Sequence, residues 1–243
     1  VHGLCGDQRL QDGPSLPSIA FATPSAAFVS DNTLFGTTGP VMGRRMRFQI
    51  SQNVGKLSFT DYLADYRRYD PIIFNTLTLA TRFISSLSVG RDETFFQKSI
   101  GRPDFVRGYD RANFSPYDCT SQLGGGINST CSNTQLAGSR VAIANAELRF
   151  PIIRRFDIGS SFGLPPVDGL IFYDAGLAWS KGQTPSLKRP ENFDANLQRY
   201  PLTSYGAGLR VNLFNLAILR WDYARPQNGS RKPNWTFSLG ASF

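Results

Sequence analysis

The C-terminal segment 235–243 splits cleanly by parity. Trp235, Phe237, Leu239, Ala241 and Phe243 fall on one side, and Thr236, Ser238, Gly240 and Ser242 on the other. Successive side chains of a β-strand point to opposite faces, so this pattern describes a strand with one wholly apolar face, ending the chain on phenylalanine.

The same period recurs upstream. In 203–213, Tyr205, Ala207, Leu209, Val211 and Leu213 oppose Gly206, Gly208, Arg210 and Asn212. In 216–225, Leu219, Trp221 and Tyr223 oppose Arg220 and Asp222; in 169–179, Ile171, Tyr173 and Leu177 oppose Phe172, Asp174 and Gly176. Segment 140–150 sets Ala144, Leu148 and Phe150 against Asn145, Glu147 and Arg149. Segments 76–89, 57–69 and 44–51 repeat the pattern with Arg82, Asp65, Arg67, Arg45 and Arg47 on their polar faces, and 19–32 alternates poorly. The count is about nine strands, most of them roughly 9–13 residues long, the length a tilted strand needs to cross a bilayer.

The polar faces decide the class. Arg82, Glu147, Asp174, Arg210, Arg220 and Asp222 are expensive in the dry core of a β-sandwich but tolerable in a wet lumen. Charged residues make up 18% of the chain, below the roughly 25% of ordinary soluble domains. No run of about 18 apolar residues occurs, which argues against a transmembrane helix. Trp179, Tyr205, Trp235 and Phe243 sit towards strand ends, where interfacial aromatic girdles belong. The expected fold is all-β, an antiparallel transmembrane β-barrel of the outer-membrane type.

The net charge of +8 with a pI near 9.7 often marks nucleic-acid or anionic-membrane binding. Here no Lys/Arg block exceeds a pair, and the alternation sends many arginines to a lumen, so no nucleic-acid partner is expected. Of Cys5, Cys119 and Cys131, the last two bracket a polar, glycine-rich stretch and are candidates for a loop disulfide in an oxidising compartment. They lack metal-ligand spacing. Gly159-Ser160-Ser161-Phe162-Gly163 fits a serine-hydrolase elbow, but no helix pattern follows it and the chain's sole histidine is His2. No catalytic residue, metal or cofactor is expected.

Loop lengths orient the barrel, because periplasmic turns are short and external loops long. The tight turn at Phe214–Asn215 is periplasmic, which makes 90–139, 180–202 and 226–234 external. The connection 151–168 then falls on the periplasmic side and is long for it. By the same alternation the first strand starts from the external face, whereas single-chain barrels keep both ends inside. The chain, which begins at Val1 without a signal peptide, therefore reads as a piece of a longer barrel. Residues 1–18 are expected as an external loop or disordered start, and 19–243 as barrel, with the 90–139 loop attached.

Within that loop stands Gly101-Arg102-Pro103-Asp104-Phe105-Val106-Arg107-Gly108-Tyr109. Here the chain resembles the BamA/TamA family of outer-membrane assembly and translocation proteins, the bacterial surface antigen family. Three further features match in order: Ala-Glu147-Leu-Arg-Phe-Pro on the next strand, Phe172-Tyr173-Asp174-Ala175-Gly176, and the closing pair with Trp221-Asp222-Tyr223-Ala224-Arg225-Pro226 and the terminal Phe243. The resemblance covers about residues 20–243. It implies a sixteen-stranded barrel of which this chain is the C-terminal part, and a loop tip Val106-Arg107-Gly108-Tyr109 folded back into the lumen, with Arg107 on Asp174. The residues themselves allow the same reading: Arg107 carries a forked guanidinium suited to carboxylates, Asp174 and Glu147 face the lumen on neighbouring strands, and Gly108 permits the turn.

The function implied is non-enzymatic insertion or translocation of proteins at the Gram-negative outer membrane. It would act through a lateral seam at the closing strand, whose signal is Trp235, Phe237, Leu239 and Phe243. Expected partners are outer-membrane lipid and lipopolysaccharide, client β-barrel or secreted proteins, and accessory lipoproteins or a larger membrane complex. Two other readings stand beside it: a secretory or passive pore plugged by the 90–139 loop, and a barrel that anchors an N-terminal soluble domain.

Overall fold

The computed structural model describes residues 20–74, 76–109, 134–154, 156–158, 162–194, 197–213, 216–228 and 232–240, with backbone alone at 134, 156–158 and 162–164. Its main feature is an 11-stranded antiparallel sheet. The long strands are β1 (Ser25–Asp31), β2 (Pro40–Gly55), β3 (Phe59–Ile73), β4 (Leu77–Gly90), β5 (Arg140–Ile153), β6 (Val167–Trp179), β7 (Leu202–Leu213), β8 (Ala217–Pro226) and β9 (Asn234–Leu239). They follow one another in sequence order, each paired with the next, and the short strands Phe21–Ala22 and Leu34–Phe35 extend the β1 edge along β2.

This all-β meander is the architecture the alternation calls for, with strands longer than expected at the N-terminal side. β2 runs 16 residues where the alternation marked 44–51, and β3 runs 15. The weakly alternating 19–32 resolves into Phe21–Ala22 and Ser25–Asp31. The long connection after β5 contains a small hairpin, in which Phe156–Ile158 pairs with Phe162–Leu164. The turn at 214–215 lies outside the described residues. So do 1–19, 110–133, Gly159-Ser160-Ser161 and 241–243, which include Cys5, Cys119, Cys131 and Phe243.

The two faces are inverted relative to a soluble sheet. Phe48, Ile50, Phe83, Ile171, Tyr173, Tyr205, Trp221, Phe237 and Leu239 are exposed, while Asn145, Glu147, Arg149, Asp174, Arg210, Arg220 and Asp222 are buried. An apolar outer face suits lipid, and a polar inner face suits a lumen filled by a loop and water. The sheet also curls. Asn212 on β7 donates to the Thr37 carbonyl, next to β2, and Thr38 donates to Asp168 at the start of β6. In a flat sheet β2 and β7 would lie about 24 Å apart at the usual inter-strand spacing. The turn 36–39 thus folds inward across the end of the lumen at which β2 and β6 begin.

Candidate functional site

The segment after β4 enters the space enclosed by the sheet and is fastened at successive points. At its root, Glu93 accepts hydrogen bonds from the Gly90 amide (3.3 Å), the Ser139 hydroxyl (3.1 Å) and Arg140 Nη2 (3.3 Å), which ties the two feet of the loop together. Glu93 lies outside the spanning strands. Burial alone would raise the pKa of its carboxyl, but the Gly90 amide, the Ser139 hydroxyl and the Arg140 charge outweigh that and hold it below the ordinary glutamate value. Lys98 Nζ pairs with Asp61 on β3 at 2.7 Å. Farther on, Arg220 Nη1 on β8 reaches Asp104 Oδ1 at 3.2 Å, and Arg82 Nη1 on β4 donates to the Asp104 carbonyl at 3.4 Å.

At the tip, Arg107 is buried to 2% exposure. Its Nε and Nη2 donate to Asp174 Oδ2 and Oδ1 at 2.7 and 2.8 Å, and its Nη1 donates to Glu147 Oε1 at 2.8 Å. The Arg107 amide adds a bond to Asp174 Oδ2 at 3.2 Å. The guanidinium lies over the Phe172 ring, 3.5 Å from its centroid. A planar cation clasped by one carboxylate at two nitrogens and covered by an aromatic face is the geometry arginine provides and lysine does not.

Strand β6 builds this receptor from alternate, inward-facing residues. Phe172 carries the guanidinium and Asp174 binds its fork. At Gly176 the place a Cβ would occupy is already filled by Val106 Cγ2. Gly108 takes φ 87°, a left-handed conformation that favours glycine, and packs against Ala224 and Pro226 of β8. Tyr109 is buried, and its hydroxyl donates to the Thr203 carbonyl (2.8 Å) and contacts Asn228 Oδ1 (3.1 Å). Val106 and Tyr109 join Ile84, Ile100, Leu136, Val141, Ile143, Ala178, Tyr200 and Leu202 in one apolar cluster inside the sheet.

Around Arg107 lies a larger ionic network than the sequence motif names. Glu147 Oε2 also accepts from Arg149 Nε (2.9 Å) and Arg210 Nη2 (2.5 Å). Asp222 stands 3.8 Å from Arg107 Nη1 and 3.3 Å from Arg220 Nη2. Asn145 Nδ2 bridges Asp174 Oδ1 (2.8 Å) and the Phe105 carbonyl (2.6 Å). The alternation had put Arg149, Arg210, Arg220 and Asp222 on the lumen face, but nothing local said they would stand at the height of Arg107. Register supplies that: Glu147 pairs with Phe172, Asn145 with Asp174, and Gly208 with Asp222. Gly208 has no Cβ because Asp222 Oδ1 fills that place, and Gly206 likewise makes room for the Phe172 ring.

The structure therefore brings Val106, Arg107, Gly108 and Tyr109 together with Glu147, Phe172, Asp174 and Gly176. Trp235, Phe237 and Leu239 stand apart from them, exposed at 65%, 68% and 67% on the outer face of β9. Among the described residues no group of acidic, histidine and cysteine side chains has a metal-binding arrangement.

The Omp85 superfamily domain model matches residues 29–243. No curated protein matches the chain. Among solved structures, BamA from Haemophilus ducreyi lacking POTRA domains 1–3 superposes with a TM-score of 0.61 at 15% identity, covering 89% of this chain and 42% of that one. At that identity the likeness speaks for the fold, and the present chain spans less than half the length of that protein. The fold is that of the BamA barrel, and by the match over residues 29–243 the chain belongs to the Omp85 superfamily.

Proposed function

We propose that the chain is the membrane barrel of a protein that inserts or translocates other proteins at the Gram-negative outer membrane, with Arg107 fastening an inward loop and the closing strand forming a lateral seam. One observation carries the reading: the loop tip 106–109 sits in a receptor made from Phe172, Asp174 and Gly176, in a chain that matches the Omp85 domain over 29–243. In this reading residues 19–243 are barrel, the 90–139 loop is its internal fastening, and 1–18 lead in from outside. Cys119 and Cys131 would close a disulfide beyond the loop tip.

The seam rests on β9. Among the described residues Asn234–Leu239 pairs only with β8. An edge with unmet backbone donors and acceptors can take up an incoming strand, and this is the physical basis for handling client barrels or secreted chains. Lipid, lipopolysaccharide and accessory lipoproteins would surround it as partners.

The test is to replace the full-length protein in its own cells with an Arg107→Ala form and follow folded, heat-modifiable outer-membrane proteins. A fall in folded clients supports the reading. Normal levels of every folded outer-membrane and surface protein, with the variant barrel inserted, would leave the barrel as an anchor only.

A plugged pore is the second reading, favoured by the span of the loop across the interior, from Lys98 on Asp61 of β3 to Tyr109 on Thr203 of β7. Single-channel conductance with and without residues 95–115 separates the two. A large, steady pore that forms on deletion without loss of client assembly favours secretion or leakage over insertion.

A further inference from the structure

Not every arginine of the N-terminal strands faces the interior. On β2, Arg44 shares its parity with Met46, Phe48 and Ile50; on β3, Arg68 shares its parity with Tyr62, Ala64 and Tyr66. The two arginines are directly opposite in the β2–β3 ladder. Both are exposed, and both lie on the outer face, towards the periplasmic ends of their strands. Facing side chains in a ladder have Cβ atoms about 5 Å apart, and like charges so placed repel.

The local charges leave that repulsion incompletely answered. Asp70 engages Arg68 through Nε alone, at 2.8 and 3.0 Å. Tyr66 adds a side-chain hydrogen bond to Arg68, whereas the Arg44 guanidinium has no side-chain partner among the described residues. Arg44, Arg68 and Asp70 together carry one net positive charge. Apolar side chains flank the pair on both sides: Met46 and Tyr66 towards the membrane interior, and the exposed Met42 towards the periplasm.

The geometry points to a headgroup site for one anionic phospholipid of the periplasmic leaflet at Arg44 and Arg68. A phosphodiester carries one negative charge, matching the residual charge of the three side chains, and its oxygens accept from both forks at once. The acyl chains would run up the outer face over Met46, Phe48 and Tyr66. Long arginine stems reach the headgroup layer in this way without leaving the apolar surface. The inference needs only that the outer face meets lipid, and it stands whether the barrel inserts clients or conducts.

The experiment uses the full-length protein in nanodiscs that hold phosphatidylglycerol and phosphatidylethanolamine in equal parts, with the lipids retained on release read by native mass spectrometry. Wild type is expected to keep one phosphatidylglycerol with about a fivefold preference, the order that one net surface charge gives towards anionic lipid. R44Q/R68Q should lose that preference and R44K/R68K should keep part of it, with heat-modifiable mobility unchanged. Should the double glutamine variant not fold, R44Q alone leaves the Arg68–Asp70 pair intact and carries the same test. Equal retention of both lipids by wild type, or an undiminished preference in the glutamine variant, overturns the proposal. Loss of the preference on adding inorganic phosphate at the lipid's concentration overturns it in favour of a free-anion site.

Discussion

Val106 Cγ2 fills the place that a Cβ on Gly176 would occupy, so loop tip and barrel wall meet where the wall has no side chain at all. This contact lies two residues along β6 from Asp174 and four from Phe172. One strand face thus supplies an aromatic support, a carboxylate and a gap in that order, and the loop answers with a guanidinium and a valine.

Gly176→Val should displace the tip while leaving the strand pairing of β6 intact. Over-packing of this kind typically costs about 1–3 kcal/mol. Trypsin cleavage after Arg107 is the readout: protected in the wild type, cut in the variant. Equal protection in both would mean that the tip does not rely on the gap.

Arg107→Lys keeps the charge but gives up the fork. Asp174 would keep Asn145 and a single ammonium contact, whereas Glu147 retains Arg149 and Arg210. Arg107→Ala should be worse, because breaking a buried pair costs about 3–5 kcal/mol when a carboxylate is left behind. Heat-modifiable mobility in a temperature series should fall in the order wild type, lysine, alanine. Alanine at wild-type stability and with full assembly activity would remove the fastening role.

The root of the loop should respond to acid. The Glu93 carboxyl is held below its ordinary value by the Gly90 amide, Ser139 and Arg140. Its contribution is therefore complete above the ordinary glutamate pKa of about 4.3 and fades as pH falls through the lower, folded value. Amide exchange at Gly90, relative to its intrinsic rate at each pH, should speed up over that acid range in the wild type. In Glu93→Gln it should be faster at neutral pH and should lack this step. A wild-type-like acid step in Glu93→Gln would assign it to another carboxyl.

Phe237 tests the outer face. It is 68% exposed and pairs across the ladder with Trp221. Phe237→Arg should lower folding stability in bilayers by roughly 2–4 kcal/mol if the position is near the midplane, and Phe237→Leu by much less. Urea titration in phosphatidylcholine vesicles measures both, and indistinguishable values would place this side chain out of the lipid.

The fold was legible because its evidence is local. In Trp235–Leu239 or Ile171–Leu177, each residue's parity alone states which face it takes, and a charged inner face beside an apolar outer one separates a wet barrel from a dry sandwich. The loop tip was legible as a motif, since Arg107, Asp174, Glu147 and Gly176 match an ordered family pattern. Arg149, Arg210 and Asp222 were visible as lumen residues but not as neighbours of Glu147 and Arg107. Glu93 gave no signal, because its partners Ser139 and Arg140 lie on the far side of a long loop.

The sequence by itself determined the strands, their two faces and the arginine that the loop offers. Only the tertiary structure decided which residues share a height in the lumen, that Val106 needs Gly176, and that Arg44 stands against Arg68 on the lipid side. The reason is physical. The face a side chain takes follows from its own place in a strand of period two, whereas its height against a neighbour depends on the register between strands, which is set by pairing along their whole length.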